Sequence, residues 1–177
     1  VCRSADAQVP AGAAVTLNGQ PLVLQQYVYI MLDKPKGVVS ASADKNDVTV
    51  VDLVGRAYPR RSLFPAGRLD KTSTGFVLVT DDGAFAHDIL APRRHEVLLD
   101  TPLTPEMAAG FAAGVRLADG QRLQPAELSP GPDGPCSARV VLRQGVYHQI
   151  KRMFGVYGAG VNELRRTAIG GLALDAA

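Results

Sequence analysis

Asp70 is the residue best placed to do chemistry. It stands between two cations, Arg68 and Lys71, in the stretch Phe64 to Thr80, FPAGRLDKTSTGFVLVT. A turn-like segment leads from it directly into an apolar run, Phe76-Val77-Leu78-Val79. A carboxylate on a turn, braced by a strand and surrounded by cations, stays ionised and can face an anionic substrate. It offers a nucleophile or base that needs no metal and no organic cofactor. Taken alone, the same residues are ordinary turn vocabulary, because Asp, Thr and Ser bond nearby backbone and Gly tolerates positive φ. The rest of the chain decides between these readings.

The 177 residues suit one substantial domain, or one domain plus a fragment. With 46% hydrophobic and 20% charged residues, a packed core is expected rather than disorder. No apolar run approaches the roughly 20 residues that span a bilayer. The chain starts without Met or a signal-like segment, which reads as a cut terminus. Nineteen Lys and Arg against 17 Asp and Glu give a net charge of +2, too small to announce a nucleic-acid partner by itself. Distribution says more: Lys34/Lys36, Arg60/Arg61, Arg68/Lys71, Arg93/Arg94, Lys151/Arg152 and Arg165/Arg166 form basic clusters that one face could collect. Cys2 and Cys136 are far apart, and His87, His95 and His148 match no ligand spacing, so no metal site and a reducing cytoplasm are expected.

Several elements must position Asp70. Val15-Thr16-Leu17 followed by Asn18-Gly19 predicts a small hairpin. Tyr27 to Leu32 reads as a strand, halted by Asp33-Lys34-Pro35-Lys36-Gly37, after which Val38 to Ser40 is extended. Asp47 to Val54 reads as a short helix and Phe76 to Thr80 as a buried strand. Asp81-Asp82-Gly83 caps a helix from about Ala84 with Phe85, Ile89 and Leu90 on its apolar face, ended by Pro92. Glu96 to Leu99 is a strand, and Thr104-Pro105-Glu106 opens a helix carrying Met107, Phe111 and Val115. Gln124 to Leu128 and Ala138 to Arg143 read as strands around a Pro/Gly-rich loop, 129–135. Tyr147 to Tyr157 reads as a helix and Val161 to Ile169 as a strand. The intermixing, without a βαβ rhythm, predicts an α+β fold with a mixed, largely antiparallel central sheet flanked by helices.

Four segments stand out in order: YIMLDKPKGVVS (29–40), GRLDKTSTGFVLVTDDG (67–83), GVYHQIKRMF (145–154) and ELRRTAIGGLAL (163–174). Together they resemble the pseudouridine synthases, in particular the family named after the ribosomal small-subunit enzyme. The likeness runs from Tyr27 to the C-terminus and more faintly over the first 26 residues. The string GRLD-x-x-(S/T)-x-G, an apolar strand and T-x-D-G is highly specific. The resemblance implies the pseudouridine synthase fold over residues 27–177. It makes residues 1–26 the last strand and linker of an RNA-binding module of the kind found in ribosomal protein S4, and the C-terminus shorter than the family's usual tail.

By the same resemblance, Asp70 stands at the catalytic aspartate, which attacks a uridine at C1′ or at the base while the glycosidic bond breaks. The freed uracil turns and rejoins the ribose through C5. Lys151 would be the charge partner of Asp70, since an opposite charge within about 4–6 Å favours the ionised carboxylate. Arg68 would enter the RNA stack in place of the extruded nucleotide, a task that suits a planar guanidinium. Arg68 also has the simpler reading of an ion pair with Asp70. Ile150 would pack on the uracil ring, or serve only as a core residue. Lys34, Lys36, Lys71, Arg93, Arg94, Arg152, Arg165 and Arg166 would contact RNA, chiefly its phosphates. The implied enzyme is a monomeric, cytoplasmic isomerase without cofactor or membrane, acting on ribosomal RNA or a pre-ribosomal particle. Its Tyr-His-Gln-Ile-Lys-Arg-Met string favours the small subunit over the large.

One departure stands out. The family carries a Lys-x-Tyr element before the strand that here reads Glu96-Val97-Leu98-Leu99, and its tyrosine is expected to stack on the target base. Here PRRH (92–95) runs directly into EVLL, about five residues short. The matching flanks favour a loop missing from this sequence over loss of an essential residue, and neither Tyr147 nor Tyr157 fits as a replacement by motif position. A true loss would favour a catalytically silent RNA-binding or ribosome-assembly factor. A glycoside hydrolase is disfavoured because no second carboxyl group is marked as a partner for Asp70.

Overall fold

The computed structural model describes residues 4, 6–10, 12–22, 25–89 and 91–175. A small hairpin, β1 (Val15–Leu17) and β2 (Gln20–Leu22), turns at Asn18-Gly19, where both residues take positive φ. The main sheet has the order β3 (Tyr29–Lys34), β5 (Thr74–Thr80), β9 (Val161–Ile169), β6 (Arg93–Leu99), β8 (Ser137–Leu142) and β7 (Glu127–Pro130). Short β4 (Phe64–Ala66) joins the C-terminal half of β5, and β10 (Leu172–Ala173) folds back on β9. Only the β5–β9 pair is parallel, so the sheet is mixed and largely antiparallel, as expected.

The four helices begin where local chemistry allows. Before α1 (Val50–Val54), Thr49 and Asp52 satisfy each other's backbone N–H in a capping box. Asp82 caps α2 (Gly83–Asp88) and Thr104 caps α3 (Pro105–Ala113). The helix read from Ala84 thus starts one residue earlier, and Leu90 lies outside the described residues. Met107 and Phe111 are buried on α3, but Val115 lies beyond its end, because Gly114 turns the chain at φ +86°. The last helix, α4 (Gln149–Gly155), starts two residues later than its apolar spacing suggests, because His148 is left-handed at φ 48°. Val38 to Ser40 forms no strand; Val39 makes one isolated bridge, to Thr49. The strand read from Gln124 begins only at Glu127 and runs to Pro130.

Strand β5 is buried on both faces, which is why it reads as an unbroken apolar run. Val77 and Val79 enter the main core with Phe111, Met153 and Phe154, while Phe76 and Leu78 pack with Ala66, Ala86 and Ile169. Each such side chain contributes about 1.5–3 kcal/mol when fully buried. The parallel contact to β9 is made through Thr74↔Arg165 and Gly75↔Arg166 alone. Gly75 has φ +101°, and a Cβ there would run into the backbone of Arg166, 2.8 Å from its nitrogen. No side chain fits between the two strands at that point. Gly75→Ala is therefore expected to cost about 3 kcal/mol or more, combining left-handed strain with backbone displacement. Urea unfolding checks this, and a loss below about 1 kcal/mol would count against the close approach.

Candidate active site

Asp70 sits in a turn between β4 and β5, and the backbone of that turn is held from outside. The carbonyl of Arg68 accepts from Arg166 Nη1 (3.2 Å), and that of Leu69 from Ser40 Oγ (2.9 Å), which takes the Leu69 N–H in return. The Asp70 carbonyl accepts from Ser73 N (3.0 Å). The Lys71 carbonyl accepts from Gly37 N (2.8 Å) and from Lys34 Nζ (3.4 Å). Lys34 Nζ also donates to the Pro35 and Val38 carbonyls, and Arg166 Nε donates to the Phe76 carbonyl.

Lys34 and Arg166 are fully buried, at 0% and 1% exposure, with Lys34 Nζ and Arg166 Nε and Nη1 turned to backbone oxygens. Neither presents its charge to a phosphate, which corrects the surface role expected for both. Burial lowers Arg166 to about 10, helped by the charge of Arg93. Burial likewise pushes the Lys34 ammonium down from 10.5 to about 8; the Asp70 charge opposes that shift and the Arg166 charge adds to it.

The Asp70 carboxylate meets α4 and the residue before it. Lys151 Nζ stands 3.6 Å from Oδ2, and His148 Nε2 stands 3.5 Å from Oδ1. Lys151 also donates to Thr72 Oγ1 (3.0 Å), tying the helix to the same turn. The lead-in to α4 is fixed by buried Gln149, whose Oε1 accepts from Val146 N (3.1 Å). Ile150 is buried yet lines the recess beside Asp70.

The flanking cations divide. Lys71 turns away to Asp47 (2.7 Å), Arg165 grips Asp33 with two bonds (3.0 and 2.7 Å), and Arg152 pairs with Asp119. Among the described residues Lys36, Arg68, Arg93 and Arg94 have no carboxylate partner. The Arg68–Asp70 ion pair considered from sequence does not form.

An inner recess of about 70 Å³ and an outer cleft of about 470 Å³ share Arg68, Leu69, Asp70, Arg93 and His148. Asp70 is the one acidic group lining either, among the described residues. Three residues that line the recess carry buried polar atoms without partners, namely Arg93 Nε, His95 Nδ1 and Arg166 Nη2. Each such buried atom costs about 1–3 kcal/mol when left unbonded. No group of three or more His, Cys, Asp or Glu among the described residues is arranged to hold a metal ion.

Sequence reasoning missed three residues here. His148 and His95 were weighed only as metal ligands, and Tyr147 was set aside by motif position. Yet Tyr147 stacks on the His148 ring at 3.9 Å between centroids and lines the outer cleft. At the junction where Lys-x-Tyr was expected, β6 runs unbroken through Arg93–Leu99, with a register shift on its β9 side after Arg94. The residue before Glu96 is therefore His95, and its side chain lines the recess.

Comparison with known proteins agrees with this architecture. Residues 28–97 match the family described as RNA pseudouridylate synthase. The chain is 37% identical to an uncharacterized RNA pseudouridine synthase, YtzG, of Bacillus subtilis (strain 168), covering 95% of this chain and 73% of that protein. It is 40% identical to ribosomal small subunit pseudouridine synthase A of Escherichia coli (strain K12), covering 92% and 72%. A crystal structure of a pseudouridylate synthase superposes with TM-score 0.76 at 30% identity, over 97% of this chain and 76% of that one. An archaeal box H/ACA Nop10–Cbf5 complex shares the fold, at TM-score 0.60 and 21% identity over 83% of this chain and 49% of that one.

The buried Lys34 makes a pH prediction. Between pH 8 and 10.5 the folded chain has released a proton that the unfolded chain keeps. The unfolded state then binds more protons, so stability rises with pH across that window, by at most about 1.4 kcal/mol per unit. Urea denaturation of wild type and Lys34→Met from pH 8 to 10.5 reads the difference in slope. Equal slopes would mean that the Lys34 charge is not buried.

Proposed function

This chain belongs to the RNA pseudouridine synthases, and from that membership we propose that it isomerises a uridine of small-subunit ribosomal RNA with Asp70 as the nucleophile. The observation that supports the role of Asp70 most is its isolation: it is the one carboxylate lining the cleft, among the described residues, with the Lys151 ammonium on one side and the His148 imidazole on the other. A lone carboxylate suits nucleophilic catalysis and lacks the second carboxyl group that glycoside hydrolysis requires.

Asp70 attacks the target nucleotide at C1′ or on the base, and the N1–C1′ bond breaks. The uracil turns in the cleft, a C5–C1′ bond forms, the bond to Asp70 breaks and returns the carboxylate, C5 gives up its proton, and N1 ends protonated. Atoms and electrons balance within one nucleotide, so no hydrolytic water is consumed. Lys151 orients the carboxylate, bridging to it and to Thr72. Ile150 supplies the apolar wall against which the ring turns. Arg68, exposed at the cleft edge and free of any carboxylate among the described residues, fills the gap left in the RNA stack. Lys36, Arg94 and, by exchange of their surface partners, Lys71, Arg152 and Arg165 contact phosphates. Exposed ion pairs of that kind are worth about 0–1 kcal/mol, so RNA can displace them at little cost.

The test uses small-subunit ribosomal RNA carrying tritium at uridine C5, because isomerisation releases that hydrogen. Wild type is expected to release tritium, whereas Asp70→Asn should release none while binding the RNA with similar affinity. Equal release by both proteins would remove Asp70 from the mechanism. Binding by wild type with no release would instead support a catalytically silent RNA-binding factor.

A further inference from the structure

Five buried side-chain atoms among the described residues lack a hydrogen-bond partner, and three of them, Arg93 Nε, His95 Nδ1 and Arg166 Nη2, belong to residues that line the recess beside Asp70. His95 and Arg166 are more than nine-tenths buried, at 5% and 1% exposure. No carboxylate meets either guanidinium among the described residues. His95 faces Arg166 across the β6–β9 pairing and follows Arg93 by two positions on β6, so it neighbours both. Room for Arg93 depends on Gly145, because a Cβ there would collide with the guanidinium. Folded proteins pair nearly all buried polar atoms, so three orphans in one recess call for a ligand that supplies the partners.

We propose that Arg93, His95 and Arg166 form the base-reading end of the cleft. The two guanidiniums donate to the C2 and C4 carbonyl oxygens of the uracil, and His95 Nδ1 accepts its N3–H. This assignment rests on the reading of the site as a uridine isomerase. The uracil edge runs acceptor, donor, acceptor, and the three side chains offer donor, acceptor, donor. Cytosine places an amino group where one guanidinium needs an oxygen, and a bare ring nitrogen where His95 needs a hydrogen. It would leave buried groups unpaired, which is the effective way to reject a near-isostere. Burial, with the charges of Arg166 and Arg93, pushes the His95 imidazole down to about 3, so one ring nitrogen keeps its lone pair at neutral pH. The arrangement also favours reaction. As N1 parts from C1′, negative charge spreads onto the two carbonyl oxygens, where both cations already stand.

Single-turnover tritium release from C5-tritiated small-subunit ribosomal RNA, beside filter binding and thermal melting, tests the assignment. His95→Leu removes the polar atoms at similar volume. It is expected to slow release about 100-fold, as loss of a preorganised partner does. RNA affinity should stay within about twofold, since phosphate contacts dominate it. Its melting temperature should equal or exceed that of wild type, because an unpaired buried polar group is gone. His95→Gln keeps an acceptor and should release faster than His95→Leu. If His95→Leu fails to fold, Arg93→Met decides, since the Arg93 side chain makes no hydrogen bond or ion pair among the described residues; a loss of about 10-fold or more is expected there. Wild-type release together with undiminished release by the folded His95→Leu or by Arg93→Met overturns the base-reading role alone. No release by wild type overturns the isomerase reading and this assignment with it.

Discussion

The site depends on how one turn is held. Residues 68–71 belong to no strand or helix, yet each of their carbonyls is taken by a donor, and three of the four carbonyls are taken from elsewhere in the chain: by Arg166 on β9, by Ser40, and by Gly37 together with Lys34 at the end of β3. A turn left to water would let its carboxylate wander. Here every carbonyl under Asp70 is bonded, so the side chain inherits the rigidity of three separate segments. Two of the donors are cations with almost no exposure, a costly choice unless their charge is answered. Backbone oxygens answer part of it. For Lys34 the carboxylate above the turn answers more, since the Asp70 charge supports its protonated form.

This arrangement links fold to chemistry in a specific order. Gly75 lets β9 approach β5 closely enough to pair, that pairing delivers Arg166 beneath Arg68, and Arg166 then fixes the path of the turn. Lys151 and His148 arrive from a different part of the chain and meet the carboxylate from the opposite side. The left-handed conformation of His148 sets where α4 begins and brings the imidazole to Asp70 instead of into the helix. The motif strings around Asp70 and around Gln149 are therefore two halves of one contact, and their glycines and buried Gln149 are structural requirements for it.

Much of this was legible in the sequence. The caps at Thr49, Asp82 and Thr104 and the doubly buried β5 follow from short-range chemistry, which a linear reading captures. Asp70 and Lys151 were found because they sit in specific strings. What escaped was decided by tertiary pairing. Lys34 and Arg166 look like surface cations, because Lys and Arg are almost never fully buried unless paired, and only the β5–β9 contact and the turn show why these two are. His95 gave no signal, since a single histidine before a strand has no spacing to test. The start of α4 was misplaced because apolar periodicity continues through His148, while the backbone does not.

Net charge hid the electrostatic character of the cleft. At +2 the chain looks nearly neutral, but its charges are sorted. Lys71, Arg152 and Arg165 spend their charge on Asp47, Asp119 and Asp33 at the surface. Arg68 and Arg93 line the cleft with no such partner, and Lys34 and Arg166 lie beneath it. One carboxylate faces this group of cations. A polyanion approaching the molecule is drawn to the place where positive charge is uncompensated, and fields from a few fixed charges in a walled cleft matter more there than the sum over the surface. The cations that hold the turn thus also give the cleft its positive character.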